Sequence, residues 1–266
     1  MSLYVNTNLA AMNAEENLVN TNNQLATSMQ RLSSGLKINS AADDAAGYTI
    51  SENLTSQVNG VTQAQQNVQD GVSLVQTADG SLTEVVQMLQ RIRELAVQYS
   101  NGTLGATDQL AIQTEVNQLS SEIERIGTTA EFNGIFLLNS SQTITFQVGA
   151  NDGQVISVST ISLGASVATF SLSSSTVLAS IDAAINSVAG QNDTFGAVQN
   201  RLQYTMNTLS TYEENLTSAN ANIVDVNMAT EMTQFTNLQI LQQAGTAVLA
   251  QANHLPQAIL TLIQGG

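Results

Sequence analysis

The chain has no cysteine, no tryptophan, a single proline and a single histidine among 266 residues. Without cysteine there is no disulfide scaffold, no thiolate zinc site and no thiol nucleophile. One histidine, His254, cannot supply a two-histidine zinc motif. Nothing around it supports a Ser-His-Asp constellation, and the expected role is an interface or surface side chain. Charge is scarce too. Only 10% of residues are Asp, Glu, Lys or Arg, against roughly 25% in an ordinary globular chain. Aromatics make up 4%, which argues against a wide core built on large side chains. Long thin helices packed by Val, Ile, Leu and Met fit better.

The charge that is present is one-sided. Six basic residues face twenty-one acidic ones, for a formal net charge of −15. Phosphate binding needs clustered Lys and Arg, so nucleic acid is excluded as an expected partner. Anionic membrane surfaces are excluded by the same sign argument. The acidity reads as solubility through self-repulsion. The first basic residue is Arg31, so a basic start followed by an apolar core, the mark of a secretory signal, is missing. No apolar run approaches the ~20 residues of a membrane span. Phosphate-cradling glycine motifs are absent, and the expectation is no catalytic, cofactor or metal site.

What is present is helical periodicity. Leu18, Leu25, Met29, Leu32 and Leu36 form one apolar stripe in a first stretch over residues 3–36, with Gly35 near its end. The second stretch runs from Val58 to Gln98. Val58, Val61, Val68, Val72, Val75, Leu82, Val86, Leu89 and Ala96 lie on a heptad seam, widened by Val85, Ile92 and Leu95. At 1.5 Å per residue it would span ~60 Å, more than a small domain needs. Asn101-Gly102 marks a turn. A shorter helix follows with Ile112, Val116, Leu119, Ile123 and Ile126, and Gly127 is its expected end.

The middle of the chain changes period. Ile144, Phe146 and Val148 alternate with polar residues, Gly149 to Gly153 is a turn cluster, and Val155 to Leu163 is β-branched. This predicts a β-hairpin. Residues 164–176 are Ser-rich and read as a loop. Helix resumes near Val177, with Ile181, Ile185, Val188, Phe195, Leu202, Met206, Leu209, Leu216 and Ile223 in register. The last segment carries Leu238, Leu241, Gly245, Val248, Ala252, Leu255, Ile259 and Leu262. Gly245 and Ala252 would admit another helix closely. Pro256 lies inside this pattern, and an interior proline costs a helix ~3 kcal/mol, so a kink or a local break is expected there.

The predicted fold is mainly α: a long antiparallel helical bundle or coiled coil with one small β-hairpin, its N- and C-terminal helices paired. Terminal seams flanked by so few charges are under-specified alone. They suit folding on assembly with other subunits.

Several blocks, in order along nearly the whole chain, resemble bacterial flagellin. They are Val5-Asn-Thr-Asn-Leu-Ala-Ala-Met12, Gln30-Arg-Leu-Ser-Ser-Gly-Leu-Lys-Ile-Asn-Ser-Ala-Ala-Asp-Asp-Ala-Ala-Gly47 and Gln90-Arg-Ile-Arg-Glu-Leu-Ala-Val-Gln98. Phe132-Asn-Gly134, Phe146 to Gly153, Gly196 to Leu202, Glu214-Asn-Leu216, Leu241 to Gly245 and Val248 to Asn253 continue the series. Departures stand at Tyr48-Thr-Ile50, at Val224 with Asp225-Val-Asn227, and at His254.

The resemblance implies a minimal, core-only flagellin. It is a secreted, non-enzymatic subunit that leaves through the flagellar type III pathway without signal cleavage and polymerises helically into the extracellular filament for swimming. It implies an inner helical domain from residues 1–44 and 223–266, a connecting spoke at 45–56, and an outer domain from 57–163 and 177–222. Residues 164–176 then replace the large variable surface domains. Self-assembly would use Leu18, Leu25, Met29, Leu32, Leu36, Leu241, Val248, Leu255, Ile259 and Leu262. The hairpin would help set the filament's supercoil. Implied partners are further copies of the chain, an export chaperone, the filament cap and hook-junction proteins. A vertebrate innate flagellin receptor would meet Arg91, Leu95 and Glu115.

Alternatives are a hook–filament junction protein and an adhesin-like coiled coil. Asp43-Asp44 could be imagined as a metal pair; the plainer expectation is pairing with Lys37 or Arg31 of its own or a neighbouring subunit. Asn139, Asn192 and the Ser/Thr residues of 171–176 are glycan-acceptor patterns of low specificity.

Overall fold

The computed structural model describes residues 7–163, 167 and 170–264, the last ten of these (255–264) by backbone alone. Among the described residues there are five long helices: α1 (Leu9–Ser34), α2 (Ala45–Tyr99), α3 (Ala106–Thr129), α4 (Val177–Val224) and α5 (Met228–Gln264). Four short strands lie between α3 and α4: β1 (Glu131–Phe132), β2 (Ile135–Phe136), β3 (Thr143–Gln147) and β4 (Val155–Ser159). The chain divides into two compact units, one from residues 1–55 with 217–266 and one from 56–216.

In the first unit, α1 and α5 pack as an antiparallel pair. Asn8 caps α1 by accepting a hydrogen bond from the Ala11 N–H at 3.2 Å. Gly35 ends it in the left-handed conformation, φ 76°, returning its N–H to the Arg31 carbonyl at 2.9 Å. The chain then meets the α4–α5 junction through a short antiparallel bridge, in which Lys37 N–H donates to Val224 O and Val226 N–H donates to Gly35 O. Asp44 accepts from the Ala46 and Gly47 amides at 3.0 Å each and so caps α2. That cap is why α2 begins at Ala45, and why residues 45–56, expected as a connecting segment, are helical.

The second unit is built on the seam read from sequence. Val61, Val68, Val75, Leu82 and Leu89 of α2 have no exposed surface, and Val85, Ile92 and Leu95 are buried beside them. Ile112, Val116 and Ile123 of α3 join this core with Ile181, Val188, Phe195, Leu202 and Leu209 of α4. Gly127 lies two residues before the end of α3, its Cα side against Leu163. It therefore serves close packing rather than stopping the helix.

The predicted hairpin is β3–β4, paired from Thr143 with Ser159 to Gln147 with Val155. Ile156 and Val158 are buried while their neighbours along β4 are exposed. Sequence reading missed β1–β2, although Asn133-Gly134, at φ 49° and 78°, is the turn dipeptide that such a hairpin demands.

The β3–β4 turn rests on α2 where Gly60 has no side chain. A Cβ there would stand 2.8 Å from the Ala150 Cβ and 3.3 Å from its Cα. Gly60→Val is expected to lift this turn and destabilise the unit by about 1–3 kcal/mol. Hydrogen exchange across residues 148–155 checks it, since amides there exchange as in the parent if the turn stays seated.

Ser and Thr hydroxyls bond back to the carbonyl four residues earlier along every helix but give up few bonds elsewhere, as at Thr62, Ser73, Thr77, Thr114, Thr205 and Thr233. The uncharged helix surfaces are thus largely self-satisfied.

Candidate assembly surfaces

The α1–α5 pair has a definite inner and outer face. On α1 the covered positions include Ala11, Ala14, Leu18, Thr21, Leu25, Ser28 and Leu32. On α5 they are Glu231, Phe235, Leu238, Gln242, Gly245, Leu249 and Ala252, a strict alternation of four and three. Leu18 approaches Gly245 closely enough that a Cβ there would stand 3.3 Å from its Cδ1. The buried Ser28 hydroxyl donates to the buried Glu231 carboxylate at 2.5 Å, and Gln242 donates to Asn22 at 2.8 Å.

The inner seam of α5 is therefore small or polar at several positions, and many of the larger aliphatic side chains are left outside. Leu241 is 56% exposed and Val248 58%. Met228, Met232 and Ile240 on α5, and Leu9, Met12, Val19 and Met29 on α1, are exposed with them. The assembly set expected from sequence thus falls into two parts. Leu18, Leu25, Leu32 and Leu36 are half-buried, the first three on the seam within the chain. Met29, Leu241 and Val248 point away from it. The side chains of Leu255, Ile259 and Leu262 lie outside the described residues. Sequence alone merged the two faces of α5 because both are apolar at heptad spacing. His254 is exposed on α5.

Arg91 and Glu115 meet at the surface of the second unit. Arg91 donates through Nε and Nη2 to one Glu115 oxygen, at 3.1 and 3.0 Å, and through Nη1 to Glu94 at 3.1 Å. The Glu115 carboxylate, then Glu94, raises the Arg91 pKa above its ordinary value. Asp182 does the same for Arg93 across a 2.6 Å contact. Glu122 is held below the usual carboxylate range by Arg125, its neighbour one turn on. Leu95 does not share this surface. It is 2% exposed and packs inward, because it stands three residues from Ile92 on the core face of α2.

Asp43 and Asp44 are occupied by the backbone. Asp43 accepts from the Asn39 and Ser40 amides and the Ser40 hydroxyl at 3.0–3.1 Å. The Asn39 amide is the largest influence holding its carboxyl below the ordinary 3.8. Within its own chain neither carboxylate forms a salt bridge with Lys37 or Arg31, though the Arg31 charge adds a smaller lowering influence on Asp43. No group of three or more metal-ligating side chains occurs among the described residues. Nor is any described helix long and apolar enough to cross a membrane.

A groove in the second unit lies between α2, the β3–β4 turn and α4. Val61, Ala150, Leu209 and the two exposed tyrosines Tyr204 and Tyr212 line it.

Comparison with known proteins places these surfaces in a family. Residues 5–143 match the bacterial flagellin N-terminal helical region, and residues 178–263 match the bacterial flagellin C-terminal helical region. A flagellin of Halalkalibacterium halodurans is 45% identical, with 98% of this chain and all of the relative aligned. A flagellin of Bacillus subtilis is 42% identical over 98% of this chain and 99% of the relative. A flagellar filament core protein of Treponema phagedenis is 40% identical over 98% of this chain and all of the relative. The crystal structure of Bacillus cereus flagellin superimposes with a TM-score of 0.50 at 31% identity, covering 54% of this chain and 88% of that one. The chain belongs to the bacterial flagellin family.

Proposed function

We infer that this chain is a structural subunit of the extracellular flagellar filament, exported and polymerised helically for swimming. The observation that carries this reading is the outward face of the α1–α5 pair. Leu9, Met12, Val19 and Met29 of α1 and Met228, Met232, Ile240, Leu241 and Val248 of α5 stand exposed, while several inner positions of α5 are small or polar. Exposed apolar area of this kind marks a protein–protein contact. Copies joined by heterologous contacts that do not close form an open helical polymer.

The unit of residues 1–55 with 217–266 then corresponds to the inner domain and that of 56–216 to the outer one. Met29, Leu241 and Val248 meet other subunits, and Leu255, Ile259 and Leu262 extend the same surface. The family is structural, and this chain acts without catalysis or cofactor. An export chaperone, the filament cap and hook-junction proteins are its expected partners. Arg91 and Glu115, exposed together, are the residues offered to an innate flagellin receptor; buried Leu95 supports the helix behind them.

Salt-induced assembly on short filament seeds tests the function. Negative-stain electron microscopy is expected to show long uniform filaments. Persistent monomers at high concentration would move the reading to a hook–filament junction protein.

A further inference from the structure

Helix α5 runs without a break from Met228 to Gln264, through the chain's only proline, Pro256. Of the kink or local break expected there, the break is not found, and the hydrogen bonding around it explains how the helix is kept. In an α-helix each N–H bonds the carbonyl four residues earlier, so Pro256, which has no N–H, leaves the Ala252 carbonyl without its helical donor. Ala252 is 5% exposed, and a buried carbonyl left unmade costs free energy. The missing donor comes from the other end of the chain. Asn8 Nδ2 donates to the Ala252 carbonyl at 2.8 Å across a sequence separation of 244 residues. The same amide caps α1 through its oxygen, which accepts from the Ala11 N–H.

We propose that Asn8, the Ala252 carbonyl and Pro256 form a clasp that fixes the register of α1 against α5. A seam with few charges leaves registers a heptad apart close in energy. Pro256 breaks that degeneracy by freeing one interior carbonyl, at one place, on a helix whose other interior carbonyls have helical donors. Asn8 is the matching donor, and it sits where α1 starts, so pairing and capping are set by one side chain. The bridge of Lys37 to Val224 and Val226 to Gly35 fixes the opposite end of the pair. Ser28 with Glu231 holds the middle. A slip of seven residues would carry Asn8 to a carbonyl already bonded within α5 and leave Ala252 unsatisfied. The clasp joins residues from both ends of the sequence, so it closes only when both are present.

Hydrogen exchange of the α1 amides in a double-mutant cycle tests this. The full-length chain is measured as sedimented polymer, or free if it does not sediment, so a failure to polymerise is scored apart from a failure of the coupling. Asn8→Asp keeps the capping oxygen and removes the donor. In the parent it is expected to speed exchange over residues 9–21 about tenfold, the usual size of an unpaired buried carbonyl. Pro256→Ala restores an N–H at position 256, and in that background Asn8→Asp is expected to change exchange less than about twofold. Asn8→Ala, which also loses the cap, is expected to retain a residual effect there. An equal effect of Asn8→Asp in both backgrounds, or none in the parent, overturns the clasp.

Discussion

Leu241→Asp with Val248→Asp is expected to abolish filament growth while leaving the subunit folded. Both side chains are more than half exposed, so new carboxylates there meet water in the free chain and cost its fold little. In a polymer the same positions would be covered. An unpaired buried carboxylate costs several kcal/mol, and each ~1.4 kcal/mol is tenfold in an equilibrium constant. The concentration needed for growth on seeds should therefore rise by more than about a hundredfold. Sedimentation after seeding and far-ultraviolet circular dichroism of the free chain read the two halves of the result. Normal filaments from the double variant would show that the outward face of α5 is not an assembly surface. Leu238→Asp is the contrast. Leu238 is 5% exposed on the inner seam, so that substitution should loosen the α1–α5 pair itself.

The second large effect is expected in the other unit. Phe195 is the bulkiest fully buried side chain described, with no exposed surface. Phe195→Ala removes a ring from a thin core that has few other aromatics to collapse into the space. A loss of about 3–5 kcal/mol is expected, a large share of the ~5–15 kcal/mol that holds a typical domain. The melting midpoint should fall by roughly 10 °C. Tyr204→Ala, at a ring 74% exposed, is expected to stay within about 0.5 kcal/mol of the parent. A fall of less than about 3 °C for Phe195→Ala would mean that the helices are held by something other than this core.

Heptad spacing located the core of the second unit in advance, because one face of α2 is apolar and the other is not. Val61, Val68, Val75, Leu82 and Leu89 were all legible for that reason, and all are fully buried. The same method lost its footing on α5, which is apolar around much of its circumference. Spacing there cannot tell Leu238, on the seam, from Leu241, outside it. What separates them is the partner helix, and Gly245 was the usable clue, since it marks where Leu18 enters.

Leu95 shows a related limit. Resemblance placed it beside Arg91, but four residues along a helix can separate core from surface when the apolar face is wide. The carboxylates of Asp43 and Asp44 looked like ion-pair partners because charge is conspicuous in a chain so poor in it. Within the chain backbone amides take both: Asp44 caps α2, and Asp43 accepts from the Asn39 and Ser40 amides of the preceding loop. Asn8 was legible only in hindsight. Its signal is an Asn at a helix start paired with a proline four residues beyond an alanine near the other end of the chain.

The four ion pairs among the described residues all involve arginines of α2 and α3 in the second unit. The α1–α5 pair is joined instead by apolar contact and by hydrogen bonds that carry no paired cation. Its grip is therefore nearly indifferent to dissolved ions. The −15 of the whole chain is not: each subunit repels the next, and added salt weakens that repulsion. Salinity then eases the approach of copies without loosening the α1–α5 pair. A filament of such subunits is then expected to assemble more readily in brine than in fresh water.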